Sequence, residues 1–324
     1  MMKILAVDDT PFILELIPML AAKAGFPEVT TCSSASDALK ILAQDGLEFD
    51  CLLLDVNMPG MDGIELCSRI RQLEKHQKTP IIMLTAMHES EFLDRAFKAG
   101  ATDYATKPFD IKELGARLRM AQELVVARRE ALTAIASATE KQQDSATKDM
   151  LDLGHPTSFQ GVENFIDINA LKNYLTQSSR AGLAASQVIG VKIDWVERIQ
   201  SKALPEEMGH ALRDIADAIN EVLRTNLSFL SYAGNGTFIA LSNSAALLSS
   251  SEIEAEVQYV LDEKNTEYDN GDPMDIEISI GNPIRPDCND IAEVPRSIIR
   301  AVARAESRSI AKRDAKPTIN IRHG

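Results

Sequence analysis

Four short segments in the first third of the sequence each run into a polar or charged residue, and this repeated pattern constrains the fold most. The segments and the residues that follow them are 3–7 with Asp8 and Asp9, 51–54 with Asp55, 80–84 with Thr85, and 101–105 with Thr106 and Lys107. Short, mostly apolar segments bounded by turn residues are typical of buried strands. Helix-length segments separate them, so we expect strands and helices to alternate along this part of the chain.

This alternating order predicts the fold class of the first part of the chain. The expected strands lie near residues 3–7, 28–32, 50–54, 80–84 and 101–105. Such an order favours an α/β fold with a doubly wound, parallel, five-stranded sheet. The carboxyl ends of parallel strands meet at one edge of the sheet, where ligands bind. The sequence therefore predicts one site that contains Asp8, Asp9, Asp55, Thr85 and Lys107.

Three carboxylates close together indicate a cation site. They cannot all remain ionised without a counter-charge, and Mg²⁺ prefers oxygen ligands. Asp55 follows a buried strand and precedes a Pro-Gly turn, and we interpret it as a nucleophile that carries a phosphoryl group as an acyl phosphate. Lys107 and Thr85 are then placed to contact the phosphoryl oxygens. The alternative interpretation is a set of unrelated acids and a surface lysine at exposed strand ends.

The motifs around these residues resemble those of a known family. They are Asp8-Asp9, Asp55 with Met58-Pro59-Gly60-Met61-Asp62-Gly63, Leu84-Thr85-Ala86, and Thr106-Lys107-Pro108-Phe109. In this order they make residues 1–125 similar to the receiver domain of two-component response regulators. The resemblance implies a magnesium-dependent phosphorylation domain whose partner is a sensor histidine kinase.

The same resemblance implies a role for each candidate site residue. The implied roles are phosphoacceptor for Asp55, magnesium ligands for Asp8, Asp9, Asp55 and the backbone carbonyl of Asn57, phosphoryl binding for Lys107, and a switch pair formed by Thr85 and Tyr104.

Composition limits the classes of partner. The chain has 324 residues, which suggests two domains, and a formal net charge of −14. This charge argues against a large nucleic-acid footprint, since phosphate contacts need clustered Lys and Arg. Only 296–322 is locally basic, which we interpret as a solvated helix face followed by a tail at 313–324. We see no signal peptide and no long apolar span, so we expect a cytoplasmic protein without a membrane partner.

A long helix is predicted to link the two domains, over residues 110–143. Its composition favours helix, and it has no Gly after Gly115 and no Pro. Two rows repeat every seven residues, namely Leu118, Val125, Leu132 and Thr139, and Ala121, Arg128, Ile135 and Gln142. We expect a weak coiled-coil seam and a homodimer through this helix. The alternative is a single helix folded back on its own domain. Residues 144–164, with Gly154 and Pro156, are expected to form a flexible linker.

The remaining sequence predicts an α+β domain with a mostly antiparallel sheet. Expected helices lie at 167–180, 205–225, 251–264 and 291–310, and expected strands at 187–193, 227–232, 238–241 and 276–280. The turn Gly234-Asn235-Gly236 separates two of these strands and indicates a hairpin.

Several segments of this domain resemble the GGDEF family of diguanylate cyclases, over residues 165–312. They are 167–174, Lys192-Ile193-Asp194, Gly209-His210 followed by Asp214, Gly234-Asn235-Gly236-Thr237-Phe238, and Ser279-Ile280-Gly281. The family transfers phosphoryl groups with two metal ions. Here Lys192 replaces one metal-binding acid, and Gly236 and Thr237 replace both acids of the hairpin. The resemblance therefore implies a degenerate domain that is not an enzyme.

Three functions remain open from the sequence. We expect a response regulator that signals by binding an unknown downstream protein, without contacting DNA. One alternative is a sensor that binds GTP or cyclic di-GMP without turnover, because Gly234 and Gly236 allow close approach of a ligand to the backbone. These glycines are equally explained as turn residues. The second alternative is an active diguanylate cyclase, which Lys192 and the acid-free hairpin argue against.

Overall fold

The computed structural model of the chain describes residues 1–44, 46–86, 90–140, 161–244, 246, 249–287 and 293–315. It divides into two compact units, Met1–Thr147 and Lys148–Gly324. Each unit is considered separately below.

The first unit alternates strands and helices, as the sequence predicts. The strands are β1 (Ile4–Val7), β2 (Val29–Cys32), β3 (Cys51–Asp55), β4 (Ile81–Thr85) and β5 (Asp103–Thr106), and the helices are α1 (Pro11–Lys23), α2 (Ala35–Leu42), α3 (Gly63–Arg71), α4 (Ser90–Lys98) and α5 (Ile111–Glu140). All neighbouring strands are parallel, in the order β2-β1-β3-β4-β5. The predicted doubly wound, five-stranded parallel sheet is therefore confirmed.

The apolar composition of the central strands explains their position in this sheet. Every residue of β1, β3 and β4 is buried, as expected for strands covered by helices on both faces. The strand order reverses between β1 and β3, which makes this the topological switch point. The carboxyl ends of β1 and β3 lie side by side there, since Val7 pairs in register with Leu54.

Helix α5 is long, as predicted, but its first half serves the core of the first unit. Leu118 and Ala121, members of the two heptad rows, are buried among core residues from β1, β3 and α1. Farther along, Arg129 is bound to Asp50 at 2.6 Å. Val125 is half-buried and Arg128 is exposed. The side chains of the remaining row members, from Leu132 onward, lie outside the described part of the structure.

The second unit has an antiparallel sheet with helices on both faces. Its elements are α6 (Ile168–Gln177), α7 (Arg180–Ala185), β6 (Ser186–Ile193), α8 (Val196–Lys202), α9 (Pro205–Leu223), β7 (Leu227–Gly234), β8 (Thr237–Asn243), α10 (Ser250–Lys264), β9 (Ile278–Ile280) and α11 (Val294–Ala315). The sheet order is β7-β8-β6-β9, with every neighbouring pair antiparallel. The expectation of helices on an antiparallel sheet is confirmed.

The order of elements gives the second unit a β-α-β-β-α-β core. Val191 and Ile193 of β6 pack with α9 and α10 in one apolar cluster. The opposite face of β6 lies against α11 so closely that a Cβ at Gly190 would be 2.3 Å from the backbone oxygen of Ala301. A glycine is required at position 190 because the helix backbone occupies the space of a side chain.

Local features of the second unit differ from the sequence prediction. The single helix predicted at 167–180 is two helices, because Ser178 and Ser179 are extended and Ser179 caps α7. Helix α8 was not predicted, and it begins after Trp195, whose φ is 50°. Strand β9 is shorter than the predicted 276–280. In the described segments, none of the helices combines the length and apolar character needed to cross a membrane.

Candidate functional site

Three aspartates meet at the carboxyl edge of the parallel sheet. Asp8 and Asp9 follow β1 directly, and Asp55 is the last residue of β3. Each contributes a carboxylate oxygen, and these oxygens lie within 4.8 Å of one another. Asp8 and Asp55 are buried, whereas Asp9 is exposed. The structure therefore brings the predicted acids together in a cleft that is open at Asp9.

Lys107 completes the cluster by bridging two of the acids. Its Nζ lies 2.6 Å from Oδ2 of Asp8 and 2.6 Å from Oδ1 of Asp55. Lys107 follows β5, and its backbone N–H donates to the carbonyl of Thr85 at 2.7 Å. The backbone at the ends of β4 and β5 thus fixes the origin of the Lys107 side chain, which reaches across the strand ends to the acids.

The electrostatics of the cluster favour an ammonium beside anions. Burial raises the pKa of Asp55; hydrogen bonding and charge attraction from Lys107 oppose this shift, and the charges of Asp8 and Asp9 add to it. For Lys107, burial acts to lower the pKa, but hydrogen bonds and charge attraction from Asp55 and Asp8 together raise the pKa above its ordinary value. Lys107 therefore stays protonated as a counter-charge for buried carboxylates.

Two residues beyond the predicted set hold the acids in place. The backbone N–H of Thr10 donates to Oδ1 of Asp8 at 2.9 Å, which orients that carboxylate. At Gly63, a Cβ would lie 2.0 Å from the carbonyl oxygen of Asp55. The sequence placed Gly63 in the turn motif but carried no signal that its missing side chain lets α3 begin against the backbone of Asp55.

The remaining predicted site residues surround the cluster. Asn57 is exposed two residues after Asp55, so its backbone belongs to the loop beside the acids. Thr85 is buried at the end of β4. Tyr104 is buried on β5, and its ring packs edge-on against Phe97 with ring centroids 6.4 Å apart. In this structure the Tyr104 ring is thus already turned inward.

The residues present fit a magnesium ion. A hard cation takes oxygen ligands from carboxylates and backbone carbonyls, and three carboxylates converge here with one ammonium as counter-charge. Two buried acids with a third beside them leave negative charge that a divalent cation would neutralise. The chemistry of this donor set therefore agrees with the predicted cofactor.

In the described part of the second unit, the predicted Asp194 belongs to no group of three or more candidate metal ligands. Its side chain is fully buried, and Oδ2 accepts a hydrogen bond from Ser279 Oγ at 3.0 Å. Lys312 Nζ lies 3.5 Å from the same oxygen. Oδ1 has no hydrogen-bond partner in the described part of the structure. Within those same residues, the only group of three or more candidate metal ligands is the one in the first unit.

Lys192 is directed at the hairpin rather than at Asp194. Its ammonium donates to the backbone carbonyl of Asn235. In the sheet, Lys192 of β6 pairs with Thr237 of β8. Burial lowers the pKa of Lys192, against opposing attraction from nearby acids. The carboxylate of Asp194 is instead neutralised by Lys312, a residue that sequence reasoning did not single out.

The geometry of the hairpin accounts for its glycines. Gly234, Asn235 and Gly236 all have positive φ, at 96°, 49° and 68°. A Cβ at Gly236 would meet the Val196 side chain at 2.8 Å. Phe238 is buried at the base of the hairpin, its ring 5.0 Å from that of Tyr232. The backbone geometry of the turn is therefore sufficient to explain these residue types, and no bound ligand is needed to account for them.

Lys312 belongs to a polar network along the outer edge of β9. Glu254 accepts from the backbone N–H of Ile280 at 2.8 Å and lies 3.1 Å from Lys312 Nζ. Arg308 binds Glu254 at 3.0 Å, and Lys312 donates to the carbonyl of Ile278 at 2.6 Å. Side chains thus occupy backbone groups that an edge strand would otherwise present for pairing.

Comparisons with known proteins match part of the chain. The family model of the response regulator receiver domain matches residues 4–119. The DNA-binding dual master transcriptional regulator RpaA of Synechocystis sp. is 37% identical over 121 residues, which make up 37% of this chain and 48% of RpaA. The transcriptional regulatory protein SrrA of Staphylococcus aureus is 31% identical over 153 residues, 47% of this chain and 57% of SrrA. The chain thus spans about half the length of these relatives.

Solved structures also match part of the chain. The chemotaxis response regulator CheY4 of Vibrio cholerae is 34% identical, with 37% of this chain and 98% of that chain covered and a TM-score of 0.35. The receiver domain of the sensor histidine kinase PA1611 from Pseudomonas aeruginosa PAO1, described with magnesium coordinated in its active-site cleft, is 29% identical. The match covers 38% of this chain and 97% of the PA1611 receiver domain, with a TM-score of 0.34.

The family match agrees with what the first unit contains. Its parallel sheet has the order β2-β1-β3-β4-β5, and an acidic cluster lies at the carboxyl edge. Receiver domains bind Mg²⁺ at such an acidic pocket and are phosphorylated by histidine kinases. Residues 4–119 are therefore a response regulator receiver domain of a two-component system.

Proposed function

We propose that this chain is a response regulator that accepts a phosphoryl group on Asp55 from a sensor histidine kinase. The observation that carries the proposal is the cluster of Asp8, Asp9 and Asp55, with Lys107 2.6 Å from two of its members. Of the three acids, Asp55 is the one that ends a central strand beside the exposed loop at Asn57.

The side chains of the cluster divide the work of phosphoryl transfer. The Asp55 carboxylate attacks phosphorus, an oxygen–phosphorus bond forms, and the phosphorus–nitrogen bond of the donor phosphohistidine breaks. Lys107 donates charge-assisted hydrogen bonds to the phosphoryl oxygens. Asp8, Asp9, Asp55 and the Asn57 carbonyl would hold Mg²⁺, which would supply positive charge that offsets the charge of the phosphoryl group.

Phosphorylation of Asp55 is tested with a small donor. The protein is treated with acetyl phosphate and Mg²⁺, and the acyl phosphate is detected by the mass of the intact chain. Asp55→Asn should abolish the added mass, whereas Asp37→Asn, an exposed control on α2, should retain it. Equal labelling of wild type and Asp55→Asn would refute the assignment.

Thr85 and Tyr104 are proposed to transmit the phosphorylation to the surface. The new phosphoryl oxygens attract the Thr85 hydroxyl, and the inward Tyr104 ring is stabilised in the space beside it. Tyr104→Ala should leave phosphorylation intact and weaken the response of the protein to it. A beryllofluoride complex in which the Thr85 hydroxyl has not moved toward Asp55, or in which the Tyr104 ring is turned outward, would contradict this coupling.

We further propose that the second unit is a GGDEF-like domain without cyclase chemistry. Two features support this: the β-α-β-β-α-β order and the position of Lys192-Ile193-Asp194 beside the hairpin turn. Lys192 donates to the Asn235 carbonyl and Lys312 Nζ lies 3.5 Å from Asp194 Oδ2, so an internal ammonium group stands beside each of these two acceptors. Two-metal phosphoryl transfer needs several carboxylates, and Asp194 is a single, buried one.

The absence of cyclase activity has a direct assay. Beryllofluoride-treated protein is incubated with GTP and Mg²⁺, and cyclic di-GMP is measured by chromatography. We expect product at the level of a heat-killed control. If product rises above that level and disappears in Asp194→Asn, the chain is an active diguanylate cyclase and the proposal is wrong. Titration of the same protein with GTP and cyclic di-GMP by calorimetry tests binding without turnover.

The output of the receiver is then proposed to be binding of another protein, with the chain acting as a homodimer through residues 111–143. Met120 and Val126 are exposed on α5 and extend its apolar surface beyond the receiver core. Leu132→Glu places a charge within the predicted heptad row. Light scattering of phosphorylated wild type should give a dimer mass, and a monomer mass in both proteins would exclude this arrangement.

A further inference from the structure

Helix α11 carries cations at every fourth position. They are Arg296, Arg300, Arg304, Arg308 and Lys312. In a helix, side chains four residues apart are separated by about 6 Å along the axis and about 40° around it. The central three arginines therefore share one face and extend along it for about 12 Å. This row is notable in a chain whose net charge is −14.

The central three arginines line a surface groove. The lining also includes Gly281, Asn282, Ala303 and Ser307, and the cavity has a volume of about 540 Å³. Helix and turn approach closely here because Gly281 has no side chain: a Cβ there would be 2.7 Å from the backbone nitrogen of Ala305. We call this surface the arginine groove, comprising Arg300, Arg304, Arg308, Ser307, Gly281 and Asn282.

The two ends of the row are engaged elsewhere. Arg296 is bound to Glu293 one turn earlier on the chain. Lys312 is directed at Asp194 and Glu254. Arg308 of the groove and Lys312 both contact Glu254, so the arginine groove adjoins the degenerate site at Asp194.

Within the groove, each arginine keeps hydrogen-bonding capacity. Arg304 donates from Nη1 to the carbonyls of Asn282 and Pro283, both at 3.0 Å. Arg308 donates from Nε and Nη2 to Glu254. A guanidinium has five N–H donors, so about three remain on each of these two. Arg300 is exposed and has no ion pair with another residue of the described segments. These internal bonds hold the side chains in place, which lowers the entropy lost on binding an anion.

From this geometry we infer that the arginine groove binds an acidic segment of a partner protein in an extended conformation. Alternate residues of an extended chain are about 6.6 Å apart, which matches the ~6 Å spacing of the arginines. Carboxylates at alternate positions therefore meet successive guanidiniums, whose planar forks pair with carboxylates in two-point contacts. The inference deepens the proposed function, since it names the output surface and the chemistry of its partner.

The lining of the groove disfavours other anions. Among the described lining residues there is no aromatic side chain on which a nucleobase would stack. A long polyanion is repelled by the rest of a chain with net charge −14. A short acidic segment contacts the groove alone and experiences less of that repulsion.

The inference is tested with the full-length chain and labelled peptides by fluorescence anisotropy. The probe is a peptide of alternating glutamate and serine. Its control has the same number of glutamates at every third position, which places neighbouring carboxylates on opposite sides of an extended chain. Arg300→Glu and Ser307→Glu each place a negative charge in the groove. Arg213→Glu makes the same charge change as Arg300→Glu, on an exposed site of α9.

The alternating peptide should bind wild type and Arg213→Glu with equal affinity. It should bind Arg300→Glu and Ser307→Glu about tenfold or more weakly than wild type, because like charges repel. Affinity should fall as salt is raised. Equal binding of the every-third-position peptide, equal loss in Arg213→Glu, or preferential binding of random duplex DNA would overturn the inference. The inference would also be overturned if inorganic phosphate, added at the same total charge as the peptide, displaced the peptide from the protein. It would likewise be overturned if the peptide bound only to a self-associated form of the chain.

Repeating the titration with beryllofluoride separates this inference from the proposed function. Tighter binding in the treated protein supports both. Binding of equal affinity in both states keeps the arginine groove as an acidic-segment site and removes its control by the receiver. Failure of wild type to bind the alternating peptide in either state sinks the groove inference and leaves Asp55 phosphorylation unaffected.

Discussion

Replacing Lys312 by Met should destabilise the second unit strongly, because it removes the ion-pair partner of the buried Asp194 carboxylate. Lys312 Nζ contacts Asp194 Oδ2 at 3.5 Å, Glu254 Oε1 at 3.1 Å and the carbonyl of Ile278 at 2.6 Å. Breaking a buried ion pair from one side costs about 3–5 kcal/mol. About a third of the Lys312 side chain is exposed, so we expect the lower end, about 3 kcal/mol.

Lys264→Met is the matched control for this substitution. Lys264 lies 3.9 Å from Asp214, and the lysine is as exposed as Lys312, but its carboxylate partner is 32% exposed whereas the Asp194 side chain is fully buried. A solvated pair of this kind contributes at most about 1 kcal/mol. The difference between the two lysine variants therefore measures the effect of burying the acid.

The assay is urea unfolding followed by the fluorescence of Trp195, the single tryptophan of the chain and the neighbour of Asp194. Adding Asp194→Asn to Lys312→Met should recover about 2 kcal/mol, because the uncompensated charge is gone. A loss in Lys312→Met no larger than in Lys264→Met would refute the reasoning. So would the absence of any recovery in the double variant.

Three further predictions concern packing and titration. Gly63→Ala should destabilise the receiver by about 2 kcal/mol and slow phosphorylation, since the added Cβ would overlap the Asp55 carbonyl. Unfolding followed by circular dichroism measures the loss of stability, and the mass of the intact chain over time measures the rate of phosphorylation. Arg71→Met should cost about 2 kcal/mol in the same unfolding assay, because Arg71 donates to three loop carbonyls. Hydrogen bonds and ion pairs lower the pKa of Glu254 below its ordinary 4.5 despite burial. The Glu254 carboxylate should therefore contribute its full stabilisation above about pH 4.5, and this stabilisation should be lost as the pH falls through the lowered pKa. Midpoints of urea unfolding measured over this pH range should show the loss in wild type, and Glu254→Gln should remove it.

Sequence reasoning succeeds for the receiver because its constraints are local and repeated. Each central strand is a short apolar run that ends at a polar residue, and parallel strands bring such ends to one edge. This is sufficient to place Lys107 near Asp8 and Asp55 although they are distant in sequence. It does not show that one ammonium bridges both carboxylates, nor that Thr10 and Gly63 fix the acids, because these depend on backbone positions.

In the second unit the sequence predicts the sheet and misses contacts made by side chains of distant elements. The strands around the hairpin have clear apolar patterns and turn residues, so β6, β7 and β8 lie where expected. Lys312 lies near the end of a basic helix, and nothing local distinguishes it from the solvated arginines before it. Its role follows from α11 packing closely on β6 through Gly190, a contact between distant elements that the sequence of α11 alone does not specify.

Helix α5 shows how one heptad pattern serves two purposes. Leu118 and Ala121 are buried in the receiver core, so they are unavailable to a partner chain. A seam between two copies therefore begins near Val125 and, within α5, ends at Glu140, a length of about 24 Å at 1.5 Å per residue. Isolated helices this short are marginal in water. A dimer through α5 should therefore form only at high concentration or with support from other surfaces, and its measured mass should depend on protein concentration.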